Sequence, residues 1–403
     1  MVTNSTKLIL FSLWVLFVFY GCVEQIEPEI IEETSSILVV DATITDELKY
    51  QKILLTRAIT FDKDEPLAEG KAQVTVVEEE GDTFVFRETV TGTYESERPF
   101  AASAGRNYQL RIITENGNSY NSKTMNLPAA SEISKLYAER ITTDLGDDGM
   151  GIFVDAFDAG DKAKFYRYEY EETYKVVAPF YNPNDLENVP PAESEFPCQV
   201  RIIPDLKSKE VCYATDTSRS IILASTGSLD QNDLSRYMVR FIDRNNYIIS
   251  HRYSILVRQY AQSNEAYTFY ETLNDLSTNE SLLSETQTGF VEGNVSSVNE
   301  SEKVLGYFDV ASVTEQRIFF DYVDFYVGEK LPPYVNPCME NAPLLSAGVP
   351  PNCTLGKQIE QDLIRYIDVN DGSLDGGPYK IVPRVCGDCT ALGSPEVPDF
   401  WVD

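Results

Sequence analysis

Apolar side chains recur at every second position through the first third of this chain, and that period commits it to β-structure. In residues 107–114, Tyr108, Leu110 and Ile112 point one way while Gln109, Arg111 and Ile113 point the other, the pattern of a half-buried strand. Similar runs occupy 37–44, 52–56, 72–78, 83–88 and 119–125. Turn residues separate them, as at Glu80-Gly81-Asp82 and Glu115-Asn116-Gly117-Asn118. Short strands at this spacing predict an immunoglobulin-like β-sandwich over 37–127. Leu127-Pro128-Ala129-Ala130-Ser131 then reads as a boundary.

Residues 132–403 predict a larger β-rich domain with a short helical insertion, so the fold class is mainly β. Strands are expected over 151–158, 163–176, 200–203, 221–225, 237–243, 247–259, 289–295, 304–310 and 316–326. The helix is expected over 263–276. Ser263 or Asn264 can cap it, and Ala266, Phe269, Tyr270, Leu273 and Leu276 fall on one face.

The N-terminus addresses the chain. Lys7 precedes the apolar run 8–20, which is shorter than the ~20 residues a spanning helix needs. Gly21-Cys22 follows, so 1–21 reads as a lipoprotein export signal and Cys22 as the residue acylated, with palmitate among its chains. Residues 22–36 form an acidic tether with no basic side chain, and Glu24, Glu27 and Glu29 follow closely on Cys22. The expected location is the outer membrane, lipid-anchored and facing outside the cell.

Composition narrows the partners. The 403 residues carry 33 Lys and Arg against 64 Asp and Glu, a formal charge of −31, which repels nucleic acid. With Cys22 acylated, six cysteines remain: Cys198, Cys212, Cys338, Cys353, Cys386 and Cys389. In an oxidising compartment they predict three disulfides, with Cys198 pairing Cys212 and the other four open. A zinc site on Cys386-Gly-Asp-Cys389 is the alternative.

Catalytic chemistry finds little support. His251 is the one histidine, no GxSxG turn exists, and HExxH metal motifs are excluded. Paired carboxylates could hydrolyse a glycoside, yet with 64 acids any pair can be nominated. Two acidic loops, 144–149 and 368–375, read as turns; the second is also the candidate for calcium. No other cofactor is expected. Tyr166, Tyr168, Tyr170 and Tyr174 share one strand face, to pack inward or to stack on a ligand. Arg258 and Arg317 lie within apolar strands, so each needs an acceptor, which a carboxylate could supply. Gly289, Gly293 and Gly306 suit turns or bulges, and Phe400-Trp401 is expected to dock the chain end on the core, an exposed tail that meets a partner being the alternative.

Several segments resemble one family of Bacteroidota lipoproteins, the domain-of-unknown-function family 4249. They are CYATDTSRS at 212–220, YSILVRQY at 253–260, EAYTFY at 265–270, GFVEGNVSS at 289–297, VLGYFDVAS at 304–312, and the ending CGDC at 386–389 with PDFW at 398–401. The resemblance implies an outer-membrane lipoprotein encoded beside a TonB-dependent (SusC-like) receptor, and it supplies no catalytic residues. The expected function is therefore an accessory or substrate-binding partner of such a transporter. A surface glycan-binding protein or hydrolase is the alternative, and a structural adhesin a third.

Overall fold

A computed structural model describes residues 37–58, 66–79, 81–157, 163–193, 196–227, 233–278, 291–298 and 302–403. Cys22, the signal, the tether and Gly289 lie outside them. The chain is mainly β. The first strands are β1 (Leu38–Thr45), β2 (Lys52–Arg57), β3 (Leu67–Ala68), β4 (Gln73–Glu78), β5 (Thr83–Val90), β6 (Thr93–Ser96), β7 (Asn107–Ile113), β8 (Ser119–Ser122) and β9 (Met125–Asn126). The period-two reading holds in β7, where Tyr108, Leu110 and Ile112 are buried and Arg111 and Ile113 exposed. The short β6 was not expected; it places Tyr94 in the core.

After the boundary come β10 (Glu132–Thr142), β11 (Asp148–Phe157), β12 (Phe165–Val177), β13 (Asn184–Asn188), β14 (Val200–Pro204), β15 (Val211–Thr217), β16 (Ile222–Ser225), β17 (Asp233–Asp243) and β18 (Arg252–Ala261). Helix α1 (Asn264–Thr278), β19 (Val295–Ser297), β20 (Val304–Asp321), α2 (Tyr322–Phe325), α3 (Thr354–Glu360), β21 (Ile364–Val369), β22 (Tyr379–Pro383) and α4 (Arg384–Gly387) complete the order.

Strand β20 joins the two halves of the molecule. Its first half runs parallel to β1, from Leu38 beside Val304 to Thr45 beside Ala311. Its second half runs antiparallel to β18, from Ala261 beside Ser312 to Arg252 beside Asp321. The sequence predicted two strands here, split at the polar stretch after Val310. That stretch is instead where β20 carries the linker: the Ser312 and Thr314 hydroxyls donate to the carbonyls of Pro128 and Ser131 at 2.7 and 3.0 Å, and Gln316 donates to Ile133 at 2.8 Å. Residues 322–325, expected as strand, form a helical turn that stacks Tyr322 on Tyr326 at 4.5 Å.

The sandwich follows the path β20-β1-β2-β6-β5-β4-β7-β8-β19 around one core. Asn294 closes it by side-chain mimicry of a strand. Its amide donates to Phe308 O and accepts from Phe308 N, both at 2.8 Å, while its own carbonyl takes Lys123 N at 2.7 Å. The core of 37–127 is thus completed by β19 and the first half of β20.

In the second half, β10-β11-β17 form a separate sheet that shares a core with β12, β16, β18 and β20. Glu172 on β12 receives a two-pronged bond from Arg240 on β17 at 3.0 and 3.1 Å, and Tyr253 at 2.5 Å, so one buried carboxylate ties the layers. Of the remaining small sheets, β21-β22 leads into α4 and the Cys389–Cys212 bridge to β15, while β13-β14 is tied to the start of α3 by Cys198–Cys353.

The expected Cys198–Cys212 pair does not form. The bridges are Cys198–Cys353, Cys212–Cys389 and Cys338–Cys386. Cys198 lies beside the β13-β14 hairpin, next to the start of α3, whereas Cys212 is buried in β15 on the large sheet. Chain reversal between them undoes their closeness in sequence. With Cys386 and Cys389 both oxidised, the alternative zinc site has no thiolates. Beside these bridges Arg365 donates to Ser208, Asp362 and Asp388 at 2.6, 2.7 and 2.9 Å.

The C-terminus docks as expected. Trp401 sits against Tyr213 and Phe319, with ring centres 4.8 and 5.8 Å away, and Phe400 lies 3.6 Å beneath the Arg317 guanidinium. Trp401→Ala should therefore cost about 3 kcal/mol, read as a lower urea midpoint with an unchanged slope.

A candidate ligand-binding cleft

The helix that the sequence placed at 263–276 builds one wall of a cleft. Ser263 Oγ accepts Ala266 N at 3.1 Å and starts α1. Ala266 and Phe269 then face inward, Phe269 packing on Tyr307 at 5.0 Å. This lays α1 across the outer face of β1 and β20, where Asp41, Thr43 and Leu305 project. Tyr270 and Leu273 line the resulting cavity of about 600 Å³, with β12 and β18 at its end. A second cavity of about 400 Å³ adjoins it, sharing Arg167, Glu169 and Tyr270 and leading to Ser218, Ser220 and Arg258.

Arg167 is the centre of the cleft. Its guanidinium lies between the rings of Tyr260 and Tyr270, at 4.4 and 4.9 Å. Nη1 donates to Glu169, whose other oxygen accepts Tyr260 OH at 2.8 Å. Arg167 Nε has no hydrogen-bond partner among the described residues. Behind it Asp309 is fully buried and accepts Gln262 Nε2 at 2.5 Å, while Asp309 Oδ1 and Gln262 Oε1 are also unpartnered among the described residues.

Burial raises the Asp309 carboxyl above the ordinary carboxylate range, against the opposing pull of Arg167 and the Gln262 bond. Asp41 opens into the cavity yet is walled by protein, and burial raises it too, with Arg167 opposing. Burial likewise pushes the Tyr307 phenol up to about 12. The Asp309 shift has a definite sign for stability. A carboxyl whose folded value exceeds its unfolded value of about 4 favours folding in acid, and that favour is lost as pH rises through the folded value. Asp309→Asn removes this titration and keeps an acceptor for Gln262. Denaturation from pH 4 to 7 should find the variant gaining on the native chain as pH rises; a constant deficit would contradict it.

The arginines picked from the sequence have their carboxylates. Arg258 pairs with Glu315 and Arg317 with Glu171, both at 2.9 Å, on the outer face of β12-β18-β20. The tyrosines of β12 pack on the core of the second half, and Tyr168 and Tyr170 also border the smaller cavity. Tyr166 and Tyr168 are fully buried, Tyr168 stacks on Tyr237 at 5.5 Å, and Tyr170 and Tyr174 pack on the same core. His251 precedes β18 at the end remote from the cleft. It lies nine positions before Tyr260, about 30 Å along a strand at ~3.3 Å each. Burial and Lys175 lower its pKa, with Asp321 opposing.

The acidic loops are turns. In 144–149 Gly146 N and Asp147 O close onto Thr143. In 368–375, the calcium candidate, the Asn370 amide donates to the carbonyls of Leu374 and Gly377, both at 2.8 Å, and Asp371 pairs with Lys380 at 3.1 Å. Among the described residues no cluster of three or more His, Cys, Asp or Glu is placed to hold a metal ion.

Sequence reasoning missed Arg167, Asp41 and Asp309. The signal for Asp309 was present: an acid inside the apolar run 304–311 needs a partner by the same rule that selected Arg258 and Arg317.

A family model described as "Domain of unknown function (DUF4249)" matches residues 23–317, which include both walls of the cleft. The ending CGDC…PDFW lies beyond the match. No curated protein compared with the chain matches it. Among solved structures the chain is similar to one titled "Biofilm associated protein - B domain", at 10% identity and a TM-score of 0.13, over 70% of this chain and 86% of that one. A likeness so low carries no argument.

Proposed function

We propose, for a chain that belongs to the DUF4249 family, a surface-exposed outer-membrane lipoprotein that binds ligand as the accessory partner of a TonB-dependent transporter. The observation that carries this reading is the cleft. It is concave, it lies where α1, the sandwich and β12-β18 meet, and it combines apolar walls with a few convergent charged groups. Its size falls in the range of small-molecule sites. Placement rests on the sequence: the short apolar run ending at Gly21-Cys22 and the acidic tether. No helix among the described residues is long and apolar enough to cross a membrane. An acyl anchor would hold such a chain at the bilayer by its buried methylene groups.

Affinity purification of the tagged chain from detergent-solubilised outer membranes tests the partnership. A TonB-dependent transporter recovered in fixed ratio with the chain is the expected result. A chain recovered alone under several mild detergents would refute it.

A further inference from the structure

We propose that the cleft takes an amphiphilic organic anion, a ligand with an apolar body and one carboxylate or similar acidic group, and that Arg167 and Lys52 receive the acidic end. This rests on the cleft being the ligand site, as proposed above, and names the class of ligand it selects.

Four observations lead there. First, the walls are largely apolar: Val39, Leu54, Phe269, Leu273 and Leu305 all face the cavity, so a ligand gains most by burying hydrocarbon or ring surface. Second, two cations have donors to spare. Arg167 has one acceptor among the described residues, Glu169, for the five N–H groups of a guanidinium. Lys52 lines the same cavity from β2, is exposed, and has no acceptor among the described residues.

Third, one carboxylate of the cavity is engaged twice and the other is raised in pKa. Glu169 is bonded by both Arg167 and Tyr260. Burial raises the Asp41 carboxyl, with Arg167 opposing. Lys49, the remaining cation of the cavity, is paired with Glu47 at 2.5 Å. Fourth, the chain as a whole carries 64 acidic against 33 basic residues. An anion is therefore repelled by most of the surface and attracted where Arg167 and Lys52 border an apolar wall.

Three probes with one apolar body separate the possibilities: 2-naphthoate, 2-naphthylmethanol and 2-naphthylmethylamine. Each is titrated calorimetrically into the full chain in non-ionic detergent, with detergent alone as the blank. The naphthoate should bind about tenfold tighter than the alcohol, and the amine weakest. Lys52→Glu, at an exposed position, should erase most of that preference while leaving the alcohol within about twofold. Arg167→Gln should do the same; if melting by circular dichroism shows that it fails to fold, Lys52→Glu decides alone. Equal affinities, an amine that binds best, a preference untouched by Lys52→Glu, or no binding would each overturn the proposal. The titration needs no transporter, so its failure with the transporter still co-purifying would remove the ligand class and leave the partnership standing. Binding with no transporter recovered would do the reverse.

Discussion

Gly306→Ala is expected to unfold the chain or to lower its stability by at least about 4 kcal/mol. Gly306 lies in β20 with φ +108°, a region side chains rarely adopt, and its added Cβ would stand 1.9 Å from the Val40 carbonyl. A contact that short with backbone cannot be relieved by a rotamer change. It would push β20 from β1 along the parallel pairing that completes the sandwich. Gly293 is stacked on the same point: its Cβ would meet Gly306 O at 1.5 Å. Gly117→Ala makes the control, because that glycine has φ +86° but open space around it and should cost only about 1–2 kcal/mol. Chemical denaturation of both variants measures the contrast. Similar losses would mean that the close approach of the two strands is not what Gly306 permits.

The second large effect is removal of the Cys212–Cys389 bridge. These residues are 177 apart in sequence, which alone would suggest a loop-closure contribution near 5 kcal/mol. The other two bridges shorten the path. From Cys212 through Cys198–Cys353 and Cys338–Cys386 to Cys389 the chain runs only roughly 30 residues. The expected cost of Cys212→Ala with Cys389→Ala is therefore about 4 kcal/mol. Urea midpoints of the double variant against the native chain give the number. Because Cys389 anchors the end of the chain near Tyr213 and Trp401, proteolysis of the variant should release C-terminal fragments first. A loss below about 1 kcal/mol would show that the other bridges and the Arg365–Asp388 pair hold this region unaided.

How far the sequence reached depends on which force shaped each element. Strands with one wet face were legible, since burial alone sets their period; β7 is the clearest case. Helix α1 was legible from its Ser263 cap and its apolar face. Strand β10 was not. Its sequence, EISKLYAERIT, is dense in charged residues, because it forms the outer strand of its three-stranded sheet and directs only Ile133, Leu136 and Ala138 at the core. The unity of β20 was hidden for a different reason. Ser312, Thr314 and Gln316 look like a break, yet they answer the carbonyls of the linker that crosses them. Disulfide pairing depends on how distant segments meet, and sequence spacing misled for Cys198 and Cys212. The cleft was only partly visible: Tyr260, Phe269 and Tyr270 lay in recognised segments, but nothing local places Arg167 of β12 against residues from β1 and α1.

Placement at the membrane underlies the proposed function, and Cys22 is where it is decided. Intact-mass measurement of the mature chain from membranes is the most direct test. The expected mature chain begins at Cys22, carries added acyl mass on that residue, and loses both the mass and the membrane fraction in Cys22→Ser. A mature chain that begins elsewhere, or an unmodified Cys22 thiol, would contradict it.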